Sequence, residues 1–358
     1  MTTYLLAGGG TAGHVNPLLA TADELMRREP DASIIVVGTA EGLEARLVPL
    51  RGYELVTIPR LPFPRRPGKA AVAFLPRLLG VITQLRSLIA ERSVDVVVGF
   101  GGYAAAPAYL AARRAGVPIV IHEANARPGL ANKLGARFTP YVGVVFAGTP
   151  LPHAQLTGLP LRSEIATLDT TTAAEPARRN FGLDATAPVL LVTGGSLGAQ
   201  RLNHTIRDAY GQVLDAGWQI LHIWGDKADL VDPGVDGYVV VRYSDRMDLA
   251  FAAADLVVAR AGAATVSELA VLGLPSVLVP YPVGNGEQKV NAHDLVEAGA
   301  AILVDDARFT PSFVADELRR LLADRSRIAT MAQAARSVGI DDGDARLAEL
   351  IRRAVARA

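Results

Sequence analysis

Two strand–glycine–helix openings, one at the start of the chain and one near its middle, constrain the fold more than any other feature. The first runs from Thr3-Tyr4-Leu5-Leu6-Ala7 into Gly8-Gly9-Gly10-Thr11-Ala12-Gly13-His14. The second runs from Pro188-Val189-Leu190-Leu191-Val192-Thr193 into Gly194-Gly195-Ser196-Leu197-Gly198-Ala199. A glycine turn between a buried strand and a helix leaves backbone N–H groups free at the positive end of the helix dipole, which suits a phosphate-like anion. Two such openings, about a domain apart, predict two Rossmann-like halves with a ligand in the cleft between them.

Short apolar runs bounded by Gly, Pro or Asp recur along all 358 residues, with helical patterns between them. Strands are predicted at 3–7, 33–38, 53–58, 94–99, 118–122, 142–147 and 154–157 in the first half. In the second half they fall at 188–193, 219–224, 238–242, 255–259, 276–280 and 301–304. Continuous Val/Ile/Leu runs fit strands buried on both faces of a parallel sheet. Their alternation with helices predicts an α/β chain of two doubly wound domains. The Thr/Ala-rich stretch Leu168–Pro176 lacks periodicity, which places the boundary near 160–165. The expected division is 1–162 and 163–343, with an amphipathic C-terminal helix at 344–358 that carries Leu347, Leu350, Ile351 and Val355 on one face.

Thirty-six basic and 36 acidic residues give zero net charge, so no global field draws the chain to nucleic acid. Without cysteine there is no disulfide framework, thiolate chemistry or cysteine-ligated metal. No basic leader precedes the first strand, and no uninterrupted apolar stretch reaches about 18 residues, which points to a soluble, cytoplasmic protein.

Gly8, Gly10 and Gly13 match the spacing of a dinucleotide fingerprint, a weak signal alone. A nicotinamide site wants an acid closing the second strand, but Gly38-Thr39 stand there, with Glu41 and Glu44 further on. His14 is either a capping or core residue or a functional ring facing the cleft. Ser196 is either a helix N-cap or a phosphate donor, or both. Arg260–Glu268 is another small-residue helix opening, where Glu268 is a dipole-favoured surface acid or a ligand for a ribose diol. Gln288, in Gly284–Asn291, belongs to a solvated loop or binds sugar hydroxyls through an amide that both donates and accepts. His122-Glu123-Ala124-Asn125 places three polar side chains at the end of a buried strand, which is costly unless they are paired or functional. No third ligand stands near them, so no metal is expected. Residues 55–90 hold six basic residues and no acid, interleaved with Phe63, Phe74, Leu75, Leu78, Leu79, Ile82 and Leu85. Either this is a core helix with solvated arginines, or it lies on an anionic membrane surface.

Together these segments resemble the MurG family of UDP-N-acetylglucosamine transferases, which convert lipid I to lipid II in peptidoglycan synthesis. The carrying residues are Gly8–Pro17, Gly99-Phe100-Gly101-Gly102-Tyr103, His122–Asn125, Gly194–Ala199 and Gly262–Glu268, with Gln288 and Asn291. Their order and spread over nearly the whole chain are far more specific than one glycine motif. Many members read Gly-Asn-Pro-Val-Arg where this chain has Gly158-Leu159-Pro160-Leu161-Arg162, which keeps the arginine.

The resemblance implies a GT-B fold, two Rossmann-like domains facing a cleft, with the C-terminal helix returning to the first. It implies that the second domain binds UDP-N-acetylglucosamine and that the first meets lipid I at the cytoplasmic membrane face, peripherally and against anionic phospholipid. Donor contacts are implied at Thr11, Ala12, Gly13, Asn125, Arg162, Ser196, Met247, Ala263, Ala264, Thr265, Glu268 and Gln288. The implied reaction is an inverting displacement at C1 of the donor sugar by the acceptor's 4-hydroxyl, needing neither cofactor nor obligatory metal. His14 is the first candidate for the base and Glu123 the second. A 2-epimerase of the same fold, a nicotinamide dehydrogenase and a non-catalytic sugar-nucleotide binder are the alternatives.

Overall fold

The computed structural model describes residues 1–62, 69–195, 199–226, 228, 231–283 and 285–357, with residues 69–72 by backbone alone. The chain divides into two units, one of Met1–Arg162 with Asp342–Ala358, the other of Ser163–Asp341. The first unit's strands are β1 (Thr3–Ala7), β2 (Ser33–Gly38), β3 (Glu54–Thr57), β4 (Val96–Gly99), β5 (Ile119–Glu123), β6 (Val142–Val144) and β7 (Ala154–Leu156). They pair in the order β3-β2-β1-β4-β5-β6-β7, all parallel. The second unit's are β8 (Val189–Thr193), β9 (Gln219–Ile223), β10 (Tyr238–Val241), β11 (Leu256–Ala259), β12 (Ser276–Leu278) and β13 (Ala301–Leu303). Their order is β10-β9-β8-β11-β12-β13, again parallel. Each sheet therefore grows outward from its first strand and then reverses, so each unit has a switch point beside its glycine opening.

Every predicted strand is present, mostly trimmed at its ends, while β5 runs one residue further than expected, to Glu123. The double winding shows in the alternation along β1. Leu5 and Ala7 join Val97, Ile121, Leu85 and Tyr109 on one side, while Tyr4 and Leu6 join Val15, Val98 and Leu347 on the other. Burying a side chain of this size contributes about 1.5–3 kcal/mol, so both faces of β1 anchor the unit.

The last helix, Gly343–Val355, returns to the first unit and buries Leu347, Leu350 and Ile351 in the cluster that holds Tyr4 and Leu6. It can start there because Gly343 has no side chain, since a Cβ would stand 2.5 Å from the Leu159 carbonyl oxygen.

Two expectations need correction. The segment Leu168–Pro176, read as lacking periodicity, is largely helical, because a helix runs over Thr170–Asn180 with Asp169 accepting the Thr171 N–H at 2.9 Å. Arg178 of that helix pairs with Asp255 at 2.7 Å, beside β11. Short periodicity hid a helix only three turns long. The second correction concerns Lys69–Glu91. Its residues 73–91 have a mean hydropathy of 1.3 and are long and apolar enough to cross a membrane by length and composition. Arg77 and Arg86 interrupt the apolar run and lower that average, which the surrounding Leu, Ile, Val and Ala residues keep at 1.3. Val81, Ile82, Leu85 and Ile89 face the core, Leu78 packs against it in part, and Leu75 and Leu79 are exposed.

Candidate active site

At the first unit's switch point the loop after β1 meets the loop after β4. The helix Ala12–Arg28 opens with Thr11 in extended conformation at its N-cap, so its first N–H groups, at Ala12 and Gly13, lie at the loop mouth. His14 stands one residue further. Its Nδ1 lies 3.2 Å from the Gly9 carbonyl oxygen and 3.3 Å from Thr11 Oγ1. A carbonyl only accepts, so the proton sits on Nδ1 and Nε2 carries the lone pair. Nε2 faces Gly101, whose φ of +92° favours glycine and where a Cβ would press on the ring at 3.2 Å from Nε2. Desolvation lowers the His14 pKa, and the pull of Glu123, the Gly9 carbonyl and Glu44 in the other direction does not overcome it. His14 is thus a neutral proton acceptor at pH 7.

Glu123, the second candidate base, is committed elsewhere. Its Oε1 accepts from Asn125 N at 2.9 Å and Asn125 Nδ2 at 3.4 Å. Its Oε2 accepts from Gly129 N at 2.9 Å and Asn132 Nδ2 at 3.0 Å. A carboxylate holding four donors of the 125–132 segment anchors that segment, and Asn125 is set by it. The fully buried Tyr109 completes the group, donating from its hydroxyl to Asn132 Oδ1 at 2.7 Å. His122 Nε2 bonds the Gly158 carbonyl at 3.2 Å, and burial pushes its pKa down to about 4. Glu123 and Asn125 therefore share one framework with His14, while Arg162 closes the unit at the end of the chain segment beyond Gly158.

The first glycine loop is not the open anion cradle its sequence suggests. Gly8 N–H bonds Val37 O at 3.2 Å, and Gly10 N–H donates to Glu44 Oε2 at 2.8 Å. Glu44 is wholly buried, with Oε1 accepting both the N–H and the hydroxyl of Thr39 at 2.8 Å. Burial works to raise its pKa, but these donors outweigh it and hold the carboxyl below the usual range. A Cβ at Gly9, Gly38 or Gly42 would overlap this side chain. The acid missing from the end of β2 is thus supplied from within the next helix, Glu44–Leu50, and is spent inside the protein. Asn132 and Tyr109 were not singled out from the sequence, and Glu44 was noted only as an acid beyond the end of the second strand, with no role given to it. The only linear hint of Glu44 is an acid two residues after one glycine and six after another. At the same mouth Arg60 lies over the Tyr103 ring, 4.7 Å from its centroid, and donates to the hydroxyl at 3.3 Å.

In the second unit, β11 leads through Arg260-Ala261-Gly262 into the helix Ala263–Leu272. Ala263, Val266, Leu269 and Ala270 face the core, which leaves Ala264, Thr265 and Glu268 together on the half-buried face. Arg260 ties the loop ends together, bonding Asp306 Oδ1 at 2.6 Å and the Val279 and Pro280 carbonyls at 3.0 and 3.3 Å. Gln288 Oε1 accepts the Tyr281 N–H at 2.9 Å, which uses one of its two lone pairs and fixes the amide's orientation. Its NH2 is the group left to donate. Met247 begins the helix Met247–Ala253 behind an Arg246–Asp248 pair of 2.6 Å. Ser196 lies outside the described residues, as do Phe63, Arg65 and Arg66 and the side chain of Lys69.

Comparison with known proteins matches residues 4–144 to the glycosyltransferase family 28 N-terminal domain and residues 189–347 to the family 28 C-terminal domain. The chain is 62% identical over 357 residues to a Clavibacter sepedonicus protein, covering 99% of this chain and 97% of that one. It is 50% identical over 356 residues to one from Streptomyces coelicolor, covering 98% of each. Both are named UDP-N-acetylglucosamine–N-acetylmuramyl-(pentapeptide) pyrophosphoryl-undecaprenol N-acetylglucosamine transferase. Among solved structures, Acinetobacter baumannii MurG superposes with a TM-score of 0.76 at 27% identity, covering 99% of this chain and 100% of that chain.

Proposed function

The chain belongs to glycosyltransferase family 28, and from that membership we propose that it moves N-acetylglucosamine from UDP-N-acetylglucosamine to lipid I, giving lipid II and UDP in peptidoglycan synthesis. The observation that carries the reading is the colinear match to a transferase of that name, 62% identical over 357 residues. In the proposed reaction the acceptor's 4-hydroxyl oxygen bonds to C1 of the donor sugar while the bond from C1 to the UDP oxygen breaks. His14 Nε2 takes the hydroxyl proton, and inversion at C1 gives a β-1,4 linkage. A base of this kind contributes about 10²–10⁴-fold.

Acceptor chemistry is assigned to the first unit and donor binding mainly to the second. Glu268 would bind the ribose diol, with Ala263, Ala264 and Thr265 offering the helix opening. Met247 would meet the uracil through its backbone, and the Gln288 NH2 would donate to the sugar. Ser196 and Arg162 would bear on the departing diphosphate, as would Thr11, Ala12, Gly13 and Asn125 at the His14 opening. The exposed Leu75 and Leu79, within the basic 55–90 stretch, support peripheral docking on anionic phospholipid at the cytoplasmic membrane face.

The test is to incubate the protein with UDP-N-acetylglucosamine, with and without lipid I, and follow UDP release. UDP release that depends on lipid I, with formation of lipid II, supports the reading. Release at the same rate without lipid I would favour an epimerase-like chemistry at the same donor site.

A further inference from the structure

One peptide group links a buried carboxylate to the His14 ring. The Gly10 N–H that donates to Glu44 Oε2 at 2.8 Å and the Gly9 C=O that accepts from His14 Nδ1 at 3.2 Å are the two ends of the same amide. Around it the fit is close. The Glu44 carboxylate fills the space a Cβ on Gly9 would need, and Gly102 crowds the other side, where a Cβ would stand 2.6 Å from Gly9 O. Thr39 fixes the far carboxylate oxygen through two hydrogen bonds of 2.8 Å. Rotating the amide would therefore take from the buried carboxylate the Gly10 donor that reaches its Oε2.

We propose that Glu44 is a positioning residue for His14, acting through the Gly9–Gly10 amide, which it locks so that the carbonyl holds the Nδ1–H tautomer and leaves Nε2 to accept the substrate proton. The proposal rests on the reading of His14 as the base. A carboxylate hydrogen-bonded to an amide N–H polarises that amide, because bonds in a chain reinforce one another at low dielectric. The carbonyl becomes a better acceptor, and the imidazole a stronger base. In catalytic triads a carboxylate bonds the histidine directly, whereas here an amide stands between them. A neutral partner does not substitute. A glutamine at 44 sets its NH2 against either the Gly10 N–H or the Thr39 N–H, so one bond is lost whichever way it turns.

The sign of the pH effect follows from the charges facing the ring. These are Glu44 from the helix after β2, and Glu123 with the neutral His122 from the end of β5. Both carboxylates favour protonated His14. Removing the Glu44 charge lowers the His14 pKa further, so the ring stays unprotonated to lower pH but is a weaker base.

The experiment compares wild type with Glu44→Gln and uses lipid I with UDP-N-acetylglucosamine across pH. The expected result is a plateau kcat reduced about tenfold or more. The acidic inflection should move to lower pH, with acceptor KM and UDP affinity by calorimetry within about twofold of wild type. An unmoved inflection, or a loss confined to KM, overturns the proposal. Two further readouts do not depend on turnover or on the variant's folding. Nitrogen NMR of labelled wild type should show His14 with its proton on Nδ1, and the Gly10 amide proton should be strongly downfield. An Nε2–H tautomer in the wild type overturns the proposal even if Glu44→Gln is inactive. If wild type itself transfers no sugar, the functional reading falls, and the His14 titration and tautomer still decide the role of Glu44.

Discussion

Asn132 Nδ2 donates to Glu123 Oε2 at 3.0 Å, and the same nitrogen reaches the His122 carbonyl at 3.1 Å. One amide thus ties the end of β5 to the helix Leu130–Gly135, and the carboxylate is an anchor whose lone pairs are taken. The two candidate bases separate on this ground, since His14 has its acceptor nitrogen open and Glu123 does not.

Substituting each should give different signatures. His14→Ala is expected to lower kcat by about 10²–10⁴-fold, with UDP affinity and thermal stability near wild type. Glu123→Gln should instead cost stability, about 1.5–3 kcal/mol for each charged hydrogen bond lost, and leave an acidic limb in the pH–rate profile. Full turnover in His14→Ala, with Glu123→Gln folded and inactive, would move the role of base to Glu123.

Glu268 shares the half-buried face of its helix with Ala264 and Thr265, so Glu268→Ala should weaken UDP itself and not only the sugar portion. The expected loss is about 1.5–3 kcal/mol, read by calorimetry. Ser196→Ala should also weaken UDP. Unchanged affinity in a folded Glu268→Ala variant would show that the ribose lies elsewhere.

His222 is fully buried, with Nδ1 2.8 Å from the Tyr238 hydroxyl and Nε2 3.2 Å from Asn203 Oδ1, and desolvation pushes its pKa down to about 3. The unfolded chain protonates this histidine near pH 6.5 and the folded chain does not. Stability should therefore be fully present above about pH 6.5 and fall as pH drops, by about 1.4 kcal/mol per unit for each such histidine. His122, pushed to about 4, adds to the slope down to that pH. Urea unfolding at pH 6.0 and 5.0 should show a slope smaller by one proton in His222→Gln. An equal slope in the two proteins would mean that His222 is protonated in the fold.

Leu75 and Leu79 are 59% and 46% exposed, in the turns before Val81, Ile82 and Leu85, which the same helix holds in the core. Wild type should sediment with anionic vesicles and leave them at high salt, because each basic residue near such a surface contributes up to about 1 kcal/mol. Changing Leu75 and Leu79 to Glu, or Arg65, Arg66 and Lys69 to Glu, should abolish sedimentation while UDP binding persists. Equal sedimentation with neutral and anionic vesicles would remove the electrostatic part of the docking.

The sequence by itself determined the strands, the glycine openings at both switch points and the identity of His14 as the ring that follows the first. These are legible because they depend on near neighbours: a buried parallel strand is a run of Val, Ile and Leu, and a helix opening is a few small residues after it. The final helix was legible too, since Leu347, Leu350 and Ile351 fall at helical spacing. Tertiary structure alone decided which polar groups are open. Gly10 N–H, free by its local pattern, is taken by Glu44 from 34 residues away, and Glu123 is filled by donors that the turn after β5 folds back over it. Gln288 spends one lone pair of its amide oxygen on the Tyr281 N–H in the same way. A residue's type fixes what it can donate or accept, but whether that capacity remains for a substrate depends on which distant groups the fold brings within about 3 Å.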